Sequence, residues 1–223
     1  MRPFKIISAT RADQASFAAT PLGRTLGAYP GYPLDVQVFA RNSRGLPACY
    51  NEAIGEAAPE QILVFVHDDV HFADFFWMDH LAIGLKQFDI VGVAGNRRRV
   101  PRQPSWAFLD QNLTFDTGNL SGLVGHGKGF PCPVSVYGPA WQRCVLLDGV
   151  FLAARAGTLQ TRQLLFDERF QFHFYDLDFC REAERKGLTM GTAAISLVHE
   201  SVGGFDSPQW RSSYETYLAK WGE

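Results

Sequence analysis

The fold is decided by residues 62–70, which read Ile62-Leu63-Val64-Phe65-Val66-His67-Asp68-Asp69-Val70. The first five residues are apolar without alternation, which is typical of a strand buried on both faces in the middle of a sheet. The apolar run stops at one histidine and two carboxylates. Because ligands bind outside the carboxyl ends of the strands in open α/β sheets, this stretch predicts a central strand with a polar site at its end.

The adjacent carboxylates of Asp68 and Asp69 repel each other. A hard divalent cation such as Mg²⁺ or Mn²⁺, shared with substrate phosphates, would offset this repulsion. The alternative is that Asp68 caps a following helix while Asp69 is merely solvated. His71 and Asp74 are expected to belong to the start of that helix. The position at a strand end favours the metal site.

Short apolar runs alternate with helical patterns along the rest of the chain. This alternation predicts an α/β fold with a central, mostly parallel mixed sheet flanked by helices. Strands are also expected at 4–9, 34–40, 89–95, 145–154 and 191–198. Helices are expected at 12–19, 47–58, 75–88 and 176–186. The helix at 75–88 would take much of its apolar surface from Phe76, Leu81, Ile83, Leu85 and Phe88.

Two helix ends carry local signals. Gly187 stands where glycine commonly ends a helix. Ser207 and Pro208 are a plausible N-cap and first residue of a C-terminal helix. An aromatic stripe follows at helical spacing, and it favours core packing over ligand binding: Trp210, Tyr214, Tyr217, Leu218 and Trp221.

The segment 96–142 is rich in glycine and proline. A long segment of this composition inside a compact domain is usually functional or mobile. It begins with a basic run, Arg97-Arg98-Arg99, with Arg102 close by. This run is either a solvated loop or a site for phosphate or an anionic acceptor.

The length, charge and composition of the chain argue against several classes of protein. A length of 223 residues predicts one domain, and a net charge of −2 argues against a nucleic-acid-binding protein. No apolar run approaches the roughly 20 residues that cross a bilayer, and the N-terminus does not resemble a signal peptide. The four cysteines lack metal or redox spacing and are expected to be reduced. A cytoplasmic location is predicted, with peripheral association with a membrane left open.

A second acidic cluster, Asp176 and Asp178, stands at the start of the helix predicted at 176–186. Acidic residues are favoured in a first helical turn, so capping alone could explain both. A helix start also holds a carboxylate rigidly, as a general base requires. His199 ends the last predicted strand, and a histidine at a strand end is a candidate ligand.

The order of these features resembles the GT-A glycosyltransferases of the large inverting family-two superfamily. It resembles most a bacterial branch whose acidic motif reads His-Asp-Asp instead of Asp-x-Asp. The resemblance covers about residues 4–204. It rests on LPACYNEAI (46–54), VFVHDDV (64–70), LLDGVFLAAR (146–155), FDERF (166–170), FYDLDFCREAERKG (174–187) and SLVHESVGG (196–204).

The resemblance implies a role for each matching residue. Asp69 and His199 would bind the metal, Mn²⁺ or Mg²⁺. Asp176 would be the catalytic base, with Asp178 as the alternative. The remaining matches would bind the donor: Thr10 and Arg11 at the nucleotide base, Asn42 and Asn51 nearby, His67 and Asp68 in the acidic triplet, and Asp148 and Gly149 at the floor of the sugar pocket.

The implied reaction transfers a sugar from a nucleoside-diphosphate donor to an acceptor hydroxyl, with inversion. The acceptor could be a glycan, a lipid-linked intermediate or a small molecule. Residues 1–95 would form the nucleotide-binding half, 143–206 the acceptor and catalytic half, and 207–223 the C-terminal helix. Residues 118–138 would form a lid or an acceptor loop that excludes water. Two other functions remain open: a metal-dependent phosphohydrolase, and a nucleotide-sugar-binding module without catalytic activity.

Overall fold

A computed structural model describes residues 3–32, 34–201 and 203–222. Its strands are β1 (Phe4–Ala9), β2 (Leu34–Phe39), β3 (Ile62–Val66), β4 (Val70–Phe72), β5 (Ile90–Gly92), β6 (Ala94–Asn96), β7 (Leu120–His126), β8 (Val134–Gly138), β9 (Arg143–Cys144), β10 (Leu146–Leu147), β11 (Phe151–Arg155), β12 (Met190–Thr192) and β13 (Leu197–His199). Its α-helices are α1 (Pro21–Gly27), α2 (Leu46–Glu56), α3 (Trp77–Gln87), α4 (Ala156–Thr161), α5 (Tyr175–Arg185) and α6 (Pro208–Trp221).

The first sheet has the strand order β2-β1-β3-β11-β5-β12-β9. Strand β3 lies between β1 and β11, and all five of its residues are buried. The predicted central strand is therefore confirmed. Pairing is parallel at β1–β2, β1–β3 and β5–β12, and antiparallel at the other three contacts of this sheet. The expected α/β fold with a mixed sheet flanked by helices is confirmed.

A second sheet, which the sequence did not indicate, has the order β10-β6-β7-β13-β4, with β8 paired to β7. Three segments predicted as single strands each supply both sheets. Segment 89–95 divides into β5 and β6, segment 145–154 into β10 and β11, and segment 191–198 into β12 and β13. Both halves of each segment are buried, so hydrophobicity alone did not reveal the break.

The glycine-rich segment 118–138 contains regular structure and is not a plain loop. Strand β7 pairs with β6, β8 and β13. Gly122 has φ = +93°, and a Cβ there would collide with the carbonyl oxygen of Val93. Glycine is therefore required for the close approach of β6 and β7, and part of the glycine density has a packing origin.

The helices agree with the sequence in most places. The ends of α2 and α5 fall within two residues of the prediction, and Gly187 follows α5 with φ = +75°. Ser207 caps α6 by accepting a hydrogen bond from the backbone N–H of Trp210. In the stripe on α6, Trp210, Tyr214 and Tyr217 are buried, which confirms core packing.

Two helix predictions were wrong in detail. Segment 12–19 holds only a short 3₁₀ turn at Ser16–Ala19, and α1 follows it. The missed signal was Thr20, an N-cap directly before a proline. On α3, Leu81 and Leu85 are buried, but Phe76 is 66% and Ile83 44% exposed.

One cluster of buried side chains extends from Ile6 in β1 to Tyr217 in α6. Helix α2 packs on β1, α3 on β5 and β11, and α5 on β10. Within the described ranges, no helix is long and apolar enough to cross a membrane.

Candidate active site

A histidine, a carboxylate and a second histidine converge where β3 and β13 end. His67 and Asp69 follow β3, and His199 is the last residue of β13. Antiparallel pairing of β4 with β13 sets His199 opposite Val70, next to Asp69. One potential ligand atom from each of His67, Asp69 and His199 lies within 4.8 Å of the others. The sequence had assigned His67 to the donor, whereas the structure brings it into the same set as the two predicted metal ligands.

His67 is positioned by α5. Its Nε2 lies 3.1 Å from the hydroxyl of Tyr175, and this hydroxyl donates to the carbonyl oxygen of Gly149 at 2.8 Å. Because the tyrosine proton goes to Gly149, Nε2 of His67 is the donor to Tyr175. Burial, together with His199 nearby, lowers the pKa of His67 to about 4. His67 is thus neutral at pH 7 and keeps a lone pair on its other nitrogen, as metal ligation requires.

The surroundings of the Asp69 carboxylate favour a bound cation. Its Oδ1 lies 3.3 Å from Nε2 of His199, but this approach lacks hydrogen-bond geometry, and the buried oxygen has no hydrogen-bond partner. Burial opposes ionisation of Asp69, but His199, Ser201 and His67 outweigh it and lower the pKa of Asp69 below its usual range. An ionised carboxylate with one buried, unsatisfied oxygen is costly unless a cation is bound. The donor set of two imidazoles and one carboxylate suits a divalent metal.

Asp68 belongs to a different group of residues. The alternative that it caps a helix is wrong, because β4 follows it. Likewise His71 lies in β4 and not at a helix start, whereas Asp74 accepts a hydrogen bond from the backbone N–H of Phe76 at the start of α3, as expected. Burial raises the pKa of Asp68, and a hydrogen bond with the Thr10 hydroxyl opposes this shift.

Thr10, Arg11 and Asn42 lie near the carboxyl ends of β1 and β2. The carbonyl oxygen of Thr10 accepts a hydrogen bond from the backbone N–H of Asn42 at 2.8 Å. Arg11 is exposed. With Asp68, these residues form an edge of the sheet separate from the cleft described below, and this edge is where the resemblance expects the nucleotide.

The structure does not bring Asn51 to either place. From α2 its side-chain amide donates to the carbonyl oxygen of Phe166 and accepts from the backbone N–H of Phe166, both at 2.9 Å. It also donates to Glu168 at 3.0 Å. These bonds use the amide to hold the segment before α5, so Asn51 is left out of the site proposed below.

Asp176 stands in the first turn of α5, facing the turn that joins β10 to β11. Its Oδ2 accepts a hydrogen bond from the backbone N–H of Gly149 at 3.0 Å, and its Oδ1 accepts one from Leu177 at 2.9 Å. A Cβ on Gly149 would collide with the hydroxyl of Tyr175, so only glycine permits this approach. Burial, and to a lesser degree Asp148, raise the pKa of Asp176 to about 7. A carboxylate with a pKa near the working pH is suited to general-base catalysis.

Asp148 lies beside this base. Its Oδ1 accepts a hydrogen bond from the backbone N–H of Val150 at 3.0 Å. Burial raises its pKa, and a hydrogen bond with the Trp106 indole opposes that shift. Asp148 and Asp176 line one cleft of about 300 Å³ together with His67 and His199.

Asp178 makes structural contacts outside the cleft. Its carboxylate is fully buried and accepts hydrogen bonds from Lys220 Nζ at 2.8 Å and from Trp221 Nε1 at 2.9 Å. It thereby ties α5 to α6 and does not line the cleft.

Sequence reasoning missed two contributors to the site. Trp106 lies in a segment without regular secondary structure, where no periodicity marks it. Tyr175 precedes Asp176, but its hydrogen bond with His67 depends on tertiary contact.

Two arginines of the basic run form ion pairs within the protein. Arg98 forms a bidentate ion pair with Asp116, and Arg99 pairs with Glu184.

No model of a known protein family matches the chain, and no curated protein matches it by sequence. Solved structures do match. Residues 1–349 of S. aureus TarS superpose with a TM-score of 0.51 and 13% identity, over 97% of this chain and 64% of TarS. The mannosyltransferase PcManGT from Pyrobaculum calidifontis, in complex with GDP-Man and Mn²⁺, gives 0.51 and 14% identity, over 98% of this chain and 63% of PcManGT. GalNAc-T7 with UDP, GalNAc and Mn²⁺ superposes with a TM-score of 0.52 and 11% identity, over 96% of this chain and 47% of GalNAc-T7.

The chain thus spans less than two thirds of the length of each of these three structures. At this identity the likeness concerns the fold alone. The three neighbours are glycosyltransferases of the GT-A fold, and the α/β architecture with mixed sheets flanked by helices agrees with them. The chain has the GT-A fold.

Proposed function

We propose that this protein is a metal-dependent glycosyltransferase, which transfers a sugar from a nucleoside-diphosphate donor to an acceptor hydroxyl. One observation carries the proposal. A carboxylate with a pKa near 7 and two histidines of a candidate metal site line the same cleft. A base and a cation site this close are what activation of a hydroxyl and departure of a diphosphate require.

Asp176 is the proposed base. An acceptor hydroxyl is a poor nucleophile until its proton is taken up, and Asp176 can accept it. The hydrogen bonds from Gly149 and Leu177 fix its carboxylate in one orientation. Asp148 and Gly149 form the floor beside it and would contact the transferred sugar. A single displacement driven by this base inverts the anomeric centre.

Asp69, His199 and His67 are the proposed metal ligands. A divalent cation bound there would supply Lewis-acid stabilisation to the leaving diphosphate. Mn²⁺ is favoured over Mg²⁺, since two of the three ligands are imidazoles and Mg²⁺ prefers oxygen. PcManGT and GalNAc-T7 were both solved with Mn²⁺.

Thr10, Arg11, Asn42 and Asp68 form the proposed edge for the nucleotide. Their position at the carboxyl ends of neighbouring parallel strands is a common place for nucleotide binding. TarS was solved with UDP and PcManGT with GDP-Man, so both nucleotides belong in a first screen.

The test is titration calorimetry of UDP and GDP with and without Mn²⁺, followed by mass spectrometry of products with sugar donors. We expect binding that requires Mn²⁺ and is lost in Asp69→Ala, while Asp79→Ala, an exposed carboxylate on α3, serves as control. Equal affinity in EDTA would contradict the metal assignment. Binding without any product would favour a non-catalytic module, and release of phosphate from simple esters without an acceptor would favour a phosphohydrolase. NMR of the product anomer tests inversion.

A further inference from the structure

The cleft beside Asp176 has walls made largely of aromatic rings. One wall comes from the segment after β6 and from β8, with Trp106, Phe108 and Tyr137. A second group of rings comes from the segment before α5 and from α6, with Phe174 and Trp210. Aromatic faces carry a partial negative charge and attract the weakly positive C–H edges of a ligand. Walls of this kind suit a flat ligand with apolar faces and polar edges.

Polar bonds hold the Trp106 wall in place. The carbonyl oxygen of Trp106 accepts from Asn96 Nδ2 at 3.0 Å and from Gln103 Nε2 at 3.1 Å, and both donors are buried. Its ring packs edge-on against Tyr137 at 4.9 Å. Asn96 also donates to Asp116, which Arg98 clamps. The wall is therefore formed before any ligand arrives, which lowers the entropic cost of binding.

Apart from its histidines, the ionisable groups that would carry charge in the cleft near neutral pH are carboxylates. Asp148 and Asp176 lie at its floor, and no lysine or arginine from the described part of the chain lines it. The basic run offers no substitute, because Arg98 and Arg99 are paired with Asp116 and Glu184. Without metal, an anionic group in the cleft would meet carboxylates with no compensating cation; with metal and donor bound, the cation proposed at His67, Asp69 and His199 is already paired with the donor's diphosphate.

Three rings stand exposed at the cleft. Phe172 is 52%, Phe115 48% and Phe205 36% exposed. Phe205 approaches Phe108 at 5.3 Å and Trp210 at 6.4 Å, so it contacts both groups of rings. Between the rings lie polar groups: Ser105, His126, Ser201 and the two carboxylates. Each of these groups has a partner within the protein. A hydrocarbon chain would cover their remaining hydrogen-bonding positions without satisfying them, whereas sugar hydroxyls can bond to them.

We propose that the acceptor taken by this cleft is a saccharide without anionic groups, with its ring faces on the aromatic walls and a hydroxyl toward Asp176. This inference rests on the proposed function, since it names the acceptor class for that reaction. It distinguishes a neutral saccharide from a uronate or phosphorylated acceptor, and from an apolar chain.

The test measures binding without donor or turnover. Methyl glycosides and disaccharides of common neutral hexoses are titrated into the full chain by calorimetry, beside the uronic acid of each sugar and a linear alkyl alcohol. We expect at least one neutral saccharide to bind about tenfold or more tightly than its uronate at low salt. Phe115→Ala and Phe172→Ala should weaken that binding several-fold. Phe76→Ala, which removes an exposed ring outside the cleft, should not.

Tighter binding of the uronate, binding of the alkyl alcohol alone, or no binding by any neutral saccharide would overturn the proposal. So would equal binding by all three phenylalanine variants. The outcome is independent of the donor site. Saccharide binding without transfer would leave this inference intact and contradict the proposed enzyme, and transfer to an anionic acceptor would do the reverse.

Discussion

At the scale of single residues, the environment of Asp176 balances two demands. Burial favours the protonated carboxyl, while the backbone N–H groups of Gly149 and Leu177 favour the carboxylate. The result is a pKa of about 7, at which the group is available as a base near neutral pH. This balance depends on the close approach of Gly149 to α5, which any side chain at position 149 would prevent.

Asp176→Asn should reduce turnover by about 10²–10⁴-fold, the usual effect of removing a general base. Asparagine keeps the size of the aspartate and one of its two acceptor oxygens, but it cannot accept the proton. The affinity for nucleotide and Mn²⁺ should hardly change. Steady-state kinetics combined with calorimetry would check both parts. Turnover at the wild-type rate would remove Asp176 from the mechanism.

Asp178→Asn is the matched control on the same helix. Its carboxylate is bonded to Lys220 and Trp221, so its loss should lower the free energy of unfolding by about 1–3 kcal/mol. Turnover per folded molecule should fall far less than in Asp176→Asn. Denaturation curves measured for both variants separate an effect on stability from an effect on chemistry.

The raised pKa of Asp176 also predicts a pH dependence of stability. The folded protein holds this proton up to about pH 7, whereas the unfolded chain releases it near 3.8. The folded state therefore loses stability, relative to the unfolded state, as the pH rises through this window. Asp176→Asn should be more stable than wild type at pH 8 and similar to it below pH 4. Urea denaturation at both pH values tests this, and turnover of the wild type should rise through about pH 7.

At the scale of elements, the segment 118–138, expected to act as a lid, contains the hairpin β7–β8. Strand β7 pairs with β8 as well as with β6 and β13, and most of its residues are buried. Hydrogen exchange should therefore be slow at residues 120–126 in the free protein and fast in the turn at 127–133. Fast exchange throughout 118–138 that slows only when UDP and Mn²⁺ are added would instead support the prediction that this segment is a lid.

Strands divided between two sheets recur three times in this fold, and two of the divisions place residues of the site. The turn between β10 and β11 contains Asp148 and Gly149, which face Asp176. The division between β12 and β13 directs His199 toward Asp69. The breaks thus bring polar groups from two sheets to one place.

At the scale of the whole molecule, the candidate metal site joins the two sheets. His67 and Asp69 follow a strand of the first sheet, and His199 ends a strand of the second. A cation held there stabilises the folded state, by about 2.7 kcal/mol at a hundred times its Kd. Mn²⁺ alone should therefore raise the Tm of the wild type, and EDTA should reverse the rise. In His67→Ala and His199→Ala the rise should be strongly reduced. An equal rise in both variants would place the ion elsewhere.

Several features of the fold were predicted correctly from local sequence patterns alone. The apolar run of β3, the polar residues at its end, and the start and end of α5 were all predicted correctly. Each depends on a few consecutive residues, because burial on both faces demands unbroken apolarity and helix ends need particular residue types. The convergence of Asp69 with His199 was expected only through the resemblance to GT-A enzymes.

Other features of the fold and of the candidate site became visible only in the tertiary structure. It showed that three predicted strands are broken between two sheets, that His67 joins the candidate metal ligands, and that Asp178 ties α5 to α6. It also formed the aromatic wall around Trp106. These features depend on contacts between residues far apart in the chain. The physical reason is that hydrophobicity reports whether a residue is buried but not against which partner, and a buried strand keeps the same pattern whether it is straight or broken.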